Sequence, residues 1–131
     1  MILLDTHVLV WFVSNPEFLS PNALAAIDDA MDRKTAFISS ISIWEIALLV
    51  KHQRIMLDMA LDTWIGKVED LSFFSFVPVN NKIAYRSVDL PEPFHKDPAD
   101  RIIVATALEL GAAIISKDEK VRRYTAVKSI W

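Results

Sequence analysis

The sequence predicts an α/β fold: one domain over residues 1–131, with a mostly parallel sheet of about five strands and helices on both faces. Three observations predict it. Short hydrophobic runs of strand length alternate with segments of helical period. Four of these runs lead to an acidic residue near the start of the next helix, as strands do at the carboxyl edge of an open sheet. No linker, repeat or low-complexity stretch interrupts a chain of 131 residues, a length that suits one domain.

The elements follow in order. Ile2–Leu4 reads as a buried strand and residues 8–13 as the helix after it, broken at Asn15-Pro16. Ser20 as N-cap and Pro21 at the first helical position open a helix whose face carries Leu24, Ile27, Ala30 and Met31. Lys34-Thr35 turns into a strand at Ala36–Ser39. Residues 42–51 are helical, with Ile43, Ile46, Ala47 and Val50 at i, i+3, i+4, i+7. A second helical pattern covers residues 61–71 through Trp64, Ile65 and Val68. Residues 73–79 are strand-like, 80–88 a short helix, and 90–96 a proline-broken loop of the kind that carries function over a rigid sheet. Residues 99–110 form the clearest helix, ended by Gly111. Ala113–Ile115 is the next strand, and residues 127–130 form a last edge strand. The parallel connections should be right-handed crossovers.

Composition excludes several chemistries. There is no cysteine, hence no disulfide, thiolate metal site or cysteine nucleophile, and a reducing cytoplasm is the expected location. The apolar start of the chain has no basic flank, contains Asp5 and His7, and is too short for a bilayer, so no membrane association is expected. Two glycines leave no phosphate-cradling loop, and no Gly-x-Ser-x-Gly elbow exists for acyl transfer. Asp5-Thr6-His7 lacks the second acid that a phosphoaspartyl hydrolase would place two residues on. A net charge of −3 does not advertise a nucleic-acid binder, although bound metal would neutralise some acids. A hydrophobic content of 53% points to a partner interface, either a homodimer or a protein inhibitor.

The acids carry the chemistry. Each has a local explanation: Ser42-Ile-Trp-Glu45 and Ser116-Lys-Asp118-Glu119 have capping-box form, Asp97-Pro-Ala-Asp100 is a capped helix start, and Asp5 can cap the first helix. Capping does not explain Asp5 pressed against an apolar strand, nor two aspartates in one turn at the mouth of an apolar helix. Carboxylates gathered at the centre of a sheet repel one another, and a divalent cation relieves that cost. All candidates are oxygen donors, with Thr6 and Ser116 hydroxyls nearby, which suits Mg2+ or Mn2+ rather than zinc. His7 lies close enough to Asp5 to touch such a pocket, and His95 can steady the Asp97 turn or contact a phosphate.

Taken together, Asp5-Thr6-His7 after an N-terminal strand, Glu45 in Ile-Ser-Ile-Trp-Glu-Ile, His95-Lys-Asp97-Pro-Ala-Asp100-Arg101 and Ile-Ser116-Lys-Asp118 resemble the PIN-domain ribonucleases, above all the VapC-type toxins of toxin–antitoxin pairs. The resemblance covers essentially the whole chain. It implies a PIN-like fold and a Mg2+- or Mn2+-dependent endoribonuclease that hydrolyses RNA with activated water, is neutralised by a cognate VapB-type antitoxin, and is often dimeric. It also implies that Asp5, Glu45, Asp100 and Asp118 form the catalytic, metal-holding quartet, with Asp97 as an additional acid. His7 stands where many relatives have asparagine, and Ala99 where many have an aromatic residue.

RNA backbone contacts are expected from Lys96, Arg101 and Lys117, then Lys120, Arg122 and Arg123, unless the last three are only a solvated face. Trp11, Trp44 and Trp64, at helical spacing among aliphatic residues, read as core or interface packing before base stacking. Phe94 reads as a substrate or antitoxin contact, and Ser116 as a cap before a ligand to carboxylate or phosphate. A non-catalytic α/β binding or regulatory domain with an acidic metal pocket is the competing reading.

Overall fold

The computed structural model describes residues 1–131. Strands β1 (Ile2–Leu4), β2 (Ala36–Ser39), β3 (Phe74–Val77), β4 (Ala113–Ile115) and β5 (Ser129–Ile130) form one five-stranded sheet in the order β3-β2-β1-β4-β5, parallel throughout. The helices are α1 (Thr6–Ser14), α2 (Pro21–Arg33), α3 (Ser40–Lys51), α4 (Leu61–Glu69), α5 (Asn81–Val88), α6 (Pro98–Leu110) and α7 (Glu119–Arg123). A short 3-10 turn at Pro16–Phe18 follows the predicted break after α1.

The expected boundaries hold to within a few residues, because the signals that set them are local. Ser20 accepts a hydrogen bond from the Ala23 amide, with Pro21 at the first position of α2. Asn80 caps α5 in the same way through the Ile83 amide. Gly111 ends α6 at φ 66°, the left-handed conformation that glycine reaches without Cβ strain. Two helix starts differ from expectation. The serine that caps α3 is Ser39, which accepts from the Ile41 amide, so the helix begins before Ser42. Likewise α7 is capped by Asp118, not by Ser116. Three serines, Ser39, Ser40 and Ser42, offered more than one register for the α3 cap.

Alternation along the short strands fills a core on each face. Ile2, Leu4, Ala36, Ile38 and Ile115 point to one face, where Val8 and Leu9 of α1, Ala23 and Ile27 of α2, and Trp64 and Val68 of α4 cover them. Leu3 and Ile114 point the other way, into Ile83 of α5, Ile103, Val104 and Ala107 of α6, and Val121 after β4. Burial of this kind contributes about 25 cal/mol per Å² of apolar surface and dominates the stability of the fold.

The topology fixes where a ligand can lie. From β1 the chain builds outward to β2 and β3 on one side, then crosses back to β4 and β5 on the other. The order therefore reverses at β1, and a crevice opens beyond its carboxyl end. Asp5 stands there, its amide donating to the Ile115 carbonyl of β4 at 3.0 Å.

Candidate active site

An open cavity of about 470 Å³ occupies that crevice, lined by Asp5, Glu45, Asp97, Asp100 and Asp118 together with Thr6, His7, Trp11, His95, Lys117 and Lys120. Every acid of the expected set faces it. Asp5 comes from the end of β1, Glu45 from the second turn of α3, Asp97 and Asp100 from the start of α6, and Asp118 from the start of α7. Glu45, Asp97 and Asp100 each offer an oxygen, all within 4.8 Å of one another. Asp5 and Asp118 complete the cavity on the β1–β4 side.

Hydroxyls orient the carboxylates. The Thr6 hydroxyl has one proton, and the contact of 2.6 Å to Glu45 Oε1 takes it; the Ser42 hydroxyl, 2.9 Å away, is then left to donate to Thr6. The Ser116 hydroxyl donates to Asp5 Oδ2 at 2.6 Å and accepts the Asp118 amide at 3.1 Å. Thr6, Ser42 and Ser116 are all buried. Ser116 thus holds the Asp5 carboxylate directly and Ser42 supports the Thr6 hydroxyl that holds Glu45, in place of the capping roles expected of them. Nothing local in the sequence distinguishes the two uses, since both put a serine near a helix start.

Asp97 caps α6 by accepting the Asp100 amide at 3.0 Å, which turns Asp100 inward. His95 accepts the Asp97 amide through Nδ1 at 3.4 Å, so the proton of a neutral ring sits on Nε2. That Nε2 lies 3.1 Å from Asp100 Oδ2, yet the N–H is not aligned on the oxygen and has no directed partner.

The cluster is electrostatically uncomfortable without a cation. Burial, more than any other cause, raises the Asp5 carboxyl above its ordinary range, against the opposing pull of the Ser116 hydrogen bond. Burial likewise raises Glu45, with the neighbouring Asp5 and Asp97 adding to it. Asp100 is pushed up to about 7, first by burial and then by the charges of Asp5, Asp97, Glu45 and Asp118. A set of hard oxygen donors that resist ionising together fits a divalent cation.

Two expectations are overturned. Arg101 does not reach toward the cavity. Its guanidinium turns under the preceding loop and donates from Nε to Ser87 O at 2.8 Å, and from the two Nη atoms to Phe94 O, His95 O and Val88 O at 3.2 Å each. The fork holds the loop that carries His95 and Asp97, a task that needs several fixed donors at once. Phe94 is only 9% exposed and packs against Tyr124 at 4.5 Å between ring centres, so the ring serves the core before any substrate or partner. An apolar residue in a proline loop reads as exposed only until the loop is seen folded back on the sheet. Replacing Arg101 with lysine is expected to lower stability by about 2 kcal/mol, since one ammonium cannot satisfy four carbonyls. Urea unfolding measures this, and unchanged stability would mean that the fork contributes nothing.

Of the tryptophans, Trp64 is core as expected, whereas Trp44 is 54% exposed and Trp11 is half-buried on the cavity wall. Trp11 was legible in principle, lying one helical turn beyond His7 on the same face.

Comparisons with known proteins agree with this architecture. The family model described as PIN domain matches residues 2–127. The chain is 34% identical to Ribonuclease VapC22 of Mycobacterium tuberculosis over 132 residues, covering 99% of this chain and 98% of that one. Among solved structures, VapBC2 from Rickettsia felis bound to a DNA fragment from their promoter is similar with a TM-score of 0.70 at 17% identity, covering 98% of this chain and 97% of that one. A toxin–antitoxin complex from Klebsiella pneumoniae is similar with a TM-score of 0.63 at 22% identity, over 97% and 95% of the two chains.

Proposed function

Because the chain belongs to the PIN-domain family, we propose that it is a VapC-type toxin: an endoribonuclease that hydrolyses RNA phosphodiester bonds and is held in check by a cognate antitoxin. The observation that carries this reading is the convergence of five carboxylates, from four segments remote in sequence, on one crevice at the switch point of the sheet. Support for the partner comes from the relatives themselves, which include toxin–antitoxin complexes.

Asp5, Glu45, Asp100 and Asp118 are the proposed catalytic acids, with Asp97 as an additional ligand-type group. Mg2+ is the proposed ion and Mn2+ its substitute, because every donor is oxygen. A divalent ion in such a cavity supplies an acidified water and charge to offset that on the leaving oxygen. The chain's own groups do the rest. Thr6 fixes the face that Glu45 presents, Ser116 fixes Asp5, and the Asp97 cap turns Asp100 inward. His95, 3.1 Å from Asp100, limits the orientations open to that carboxylate.

A single domain over residues 1–131 and a cytoplasmic location complete the reading. No helix is long and apolar enough to cross a membrane. Bare apolar side chains at Trp44, Tyr85 and Val88 are available to a homodimer or antitoxin contact. Incubation of purified protein with total cellular RNA tests the proposal: discrete cleavage ends should appear with Mg2+ or Mn2+ and disappear with EDTA. Intact RNA under all metal conditions, with normal growth on forced expression, would favour the non-catalytic binding domain.

A further inference from the structure

The cavity has two unlike rims. On the α1 side, Trp11 stands over the acids with its ring centre 5.9 Å from that of His7. Behind it the ring is braced by Trp131 at 6.0 Å and by the edge of Phe18 at 6.0 Å. The exposed Lys117 holds Nζ 5.8 Å from the Trp11 ring centre, near the outer limit of a cation–π contact. The cations that line the cavity, Lys117 and Lys120, both lie on the segment that follows β4. Arg122 and Arg123 line a separate depression with Glu119, Ser129 and Trp131, where Arg123 pairs with Glu119 at 3.2 Å.

This combination has a chemical consequence. Five carboxylates repel the phosphates of a polyanion everywhere except at the bound ion. A nucleic-acid strand therefore needs cations at the rim to approach, and the rim that supplies them also supplies an aromatic face. Bases stack on tryptophan whatever their identity, but only when they are free of their neighbours. A braced ring keeps its place while a base arrives, so little order is lost on binding. Lys117, long and solvated, can leave the ring and pair with the phosphate of the same nucleotide.

We propose that Trp11, His7 and Lys117 form a nucleotide subsite beside the acid cavity, in which an unpaired base next to the scissile phosphate stacks on Trp11 while Lys117 holds its phosphate. The subsite rests on the nuclease reading and adds a selection to it. The enzyme requires a splayed-out nucleotide at one position flanking the cut, and a base in continuous duplex cannot enter. A protein segment of a partner is the competing occupant, but Lys117 and Lys120 on the cavity wall beside the aromatic face favour a polyanion.

The test uses a short single-stranded RNA that the protein cuts, the same RNA with one abasic nucleotide moved through the positions around the cut, and its duplex. The Asp100→Asn protein serves for binding, followed by the anisotropy of an end-labelled RNA and by tryptophan fluorescence, and the unmodified protein for cleavage. RNA should quench the fluorescence of Asp100→Asn, and adding Trp11→Leu should weaken binding about tenfold or more. Lys117→Ala should lower the slope of log affinity against log salt by about one. Cleavage should fall at a single abasic position and in the duplex. Equal cleavage at every abasic position overturns the subsite, and so does undiminished binding by a folded Trp11→Leu protein. If Trp11→Leu fails to fold, the abasic series on the unmodified protein decides alone. Should the unmodified protein cut no RNA while RNA binding persists and Trp11→Leu weakens it, the nuclease reading falls and the subsite stands, with the scan then read by binding.

Discussion

Asp100→Asn is expected to lose RNA cleavage by at least about 100-fold, the scale at which even the outer partners of metal ligands act, while becoming more stable than the parent in the absence of metal. The two effects have one cause. Asp100 sits near the centre of the acid cluster, and its carboxyl is pushed up to about 7 by burial and by four neighbouring acids. Asparagine keeps the shape and the Asp97-capped helix start, since that cap uses the backbone amide of residue 100. It removes the charge that a cation needs and that the apo protein tolerates poorly. Single-turnover cleavage and thermal unfolding in EDTA at pH 8 measure the pair. Loss of activity with loss of stability would instead mark residue 100 as a folding position. Loss of neither would remove it from the site.

The second large effect is on pH. For a carboxyl whose folded pKa lies above its unfolded value, the folded state binds more protons than the unfolded state between the two, so stability falls as pH rises. The unfolded value for Asp100 is 3.8 and the folded one about 7. The metal-free protein should therefore lose stability progressively from about pH 4 to pH 7 and stay at the lower level above. Asp5 and Glu45, both raised by burial, push the same way. A shift of this size corresponds to about 4 kcal/mol at most at 1.36 kcal/mol per pKa unit. Solvent reaching the open cavity reduces it to about 2 kcal/mol. A divalent ion takes over the role of the protons, so Mg2+ or Mn2+ should raise the unfolding temperature far more at pH 8 than at pH 5. Melting curves with EDTA and with each ion, across that range, give the answer. A metal-free stability that rises with pH through this window would show that the acids do not crowd one another.

The relation between chain and fold can be judged from particular residues. The boundaries of α2, α5 and α6 were readable because Ser20, Asn80 and Gly111 act on backbone within one turn of themselves. The acid set was readable for a different reason. Strands β1, β2 and β4 end at one edge, so Asp5, Glu45 and Asp118 beyond them land near one another, while the loop after α5 brings Asp97 and Asp100 to the same place. Glu45 had a local explanation as well, because its spacing from Ser42 equals that of a capping box. The hydroxyl that actually claims it belongs to Thr6, 39 residues away.

What the amino-acid order determined by itself was therefore the local part: which segments are strands and helices, where most of them stop, and which oxygen donors the sheet edge would gather. Tertiary structure alone decided how those donors are held and what the remaining side chains do. Thr6 and Ser116 became carboxylate partners, Ser42 a support for Thr6, Arg101 a fork under its own loop, Phe94 a core residue, and Trp11 a wall of the cavity. The reason is physical. A cap or a period is satisfied by neighbours within a few residues, whereas a buried hydroxyl, guanidinium or ring takes whichever partner the fold brings within about 3–4 Å, and sequence distance does not enter that competition.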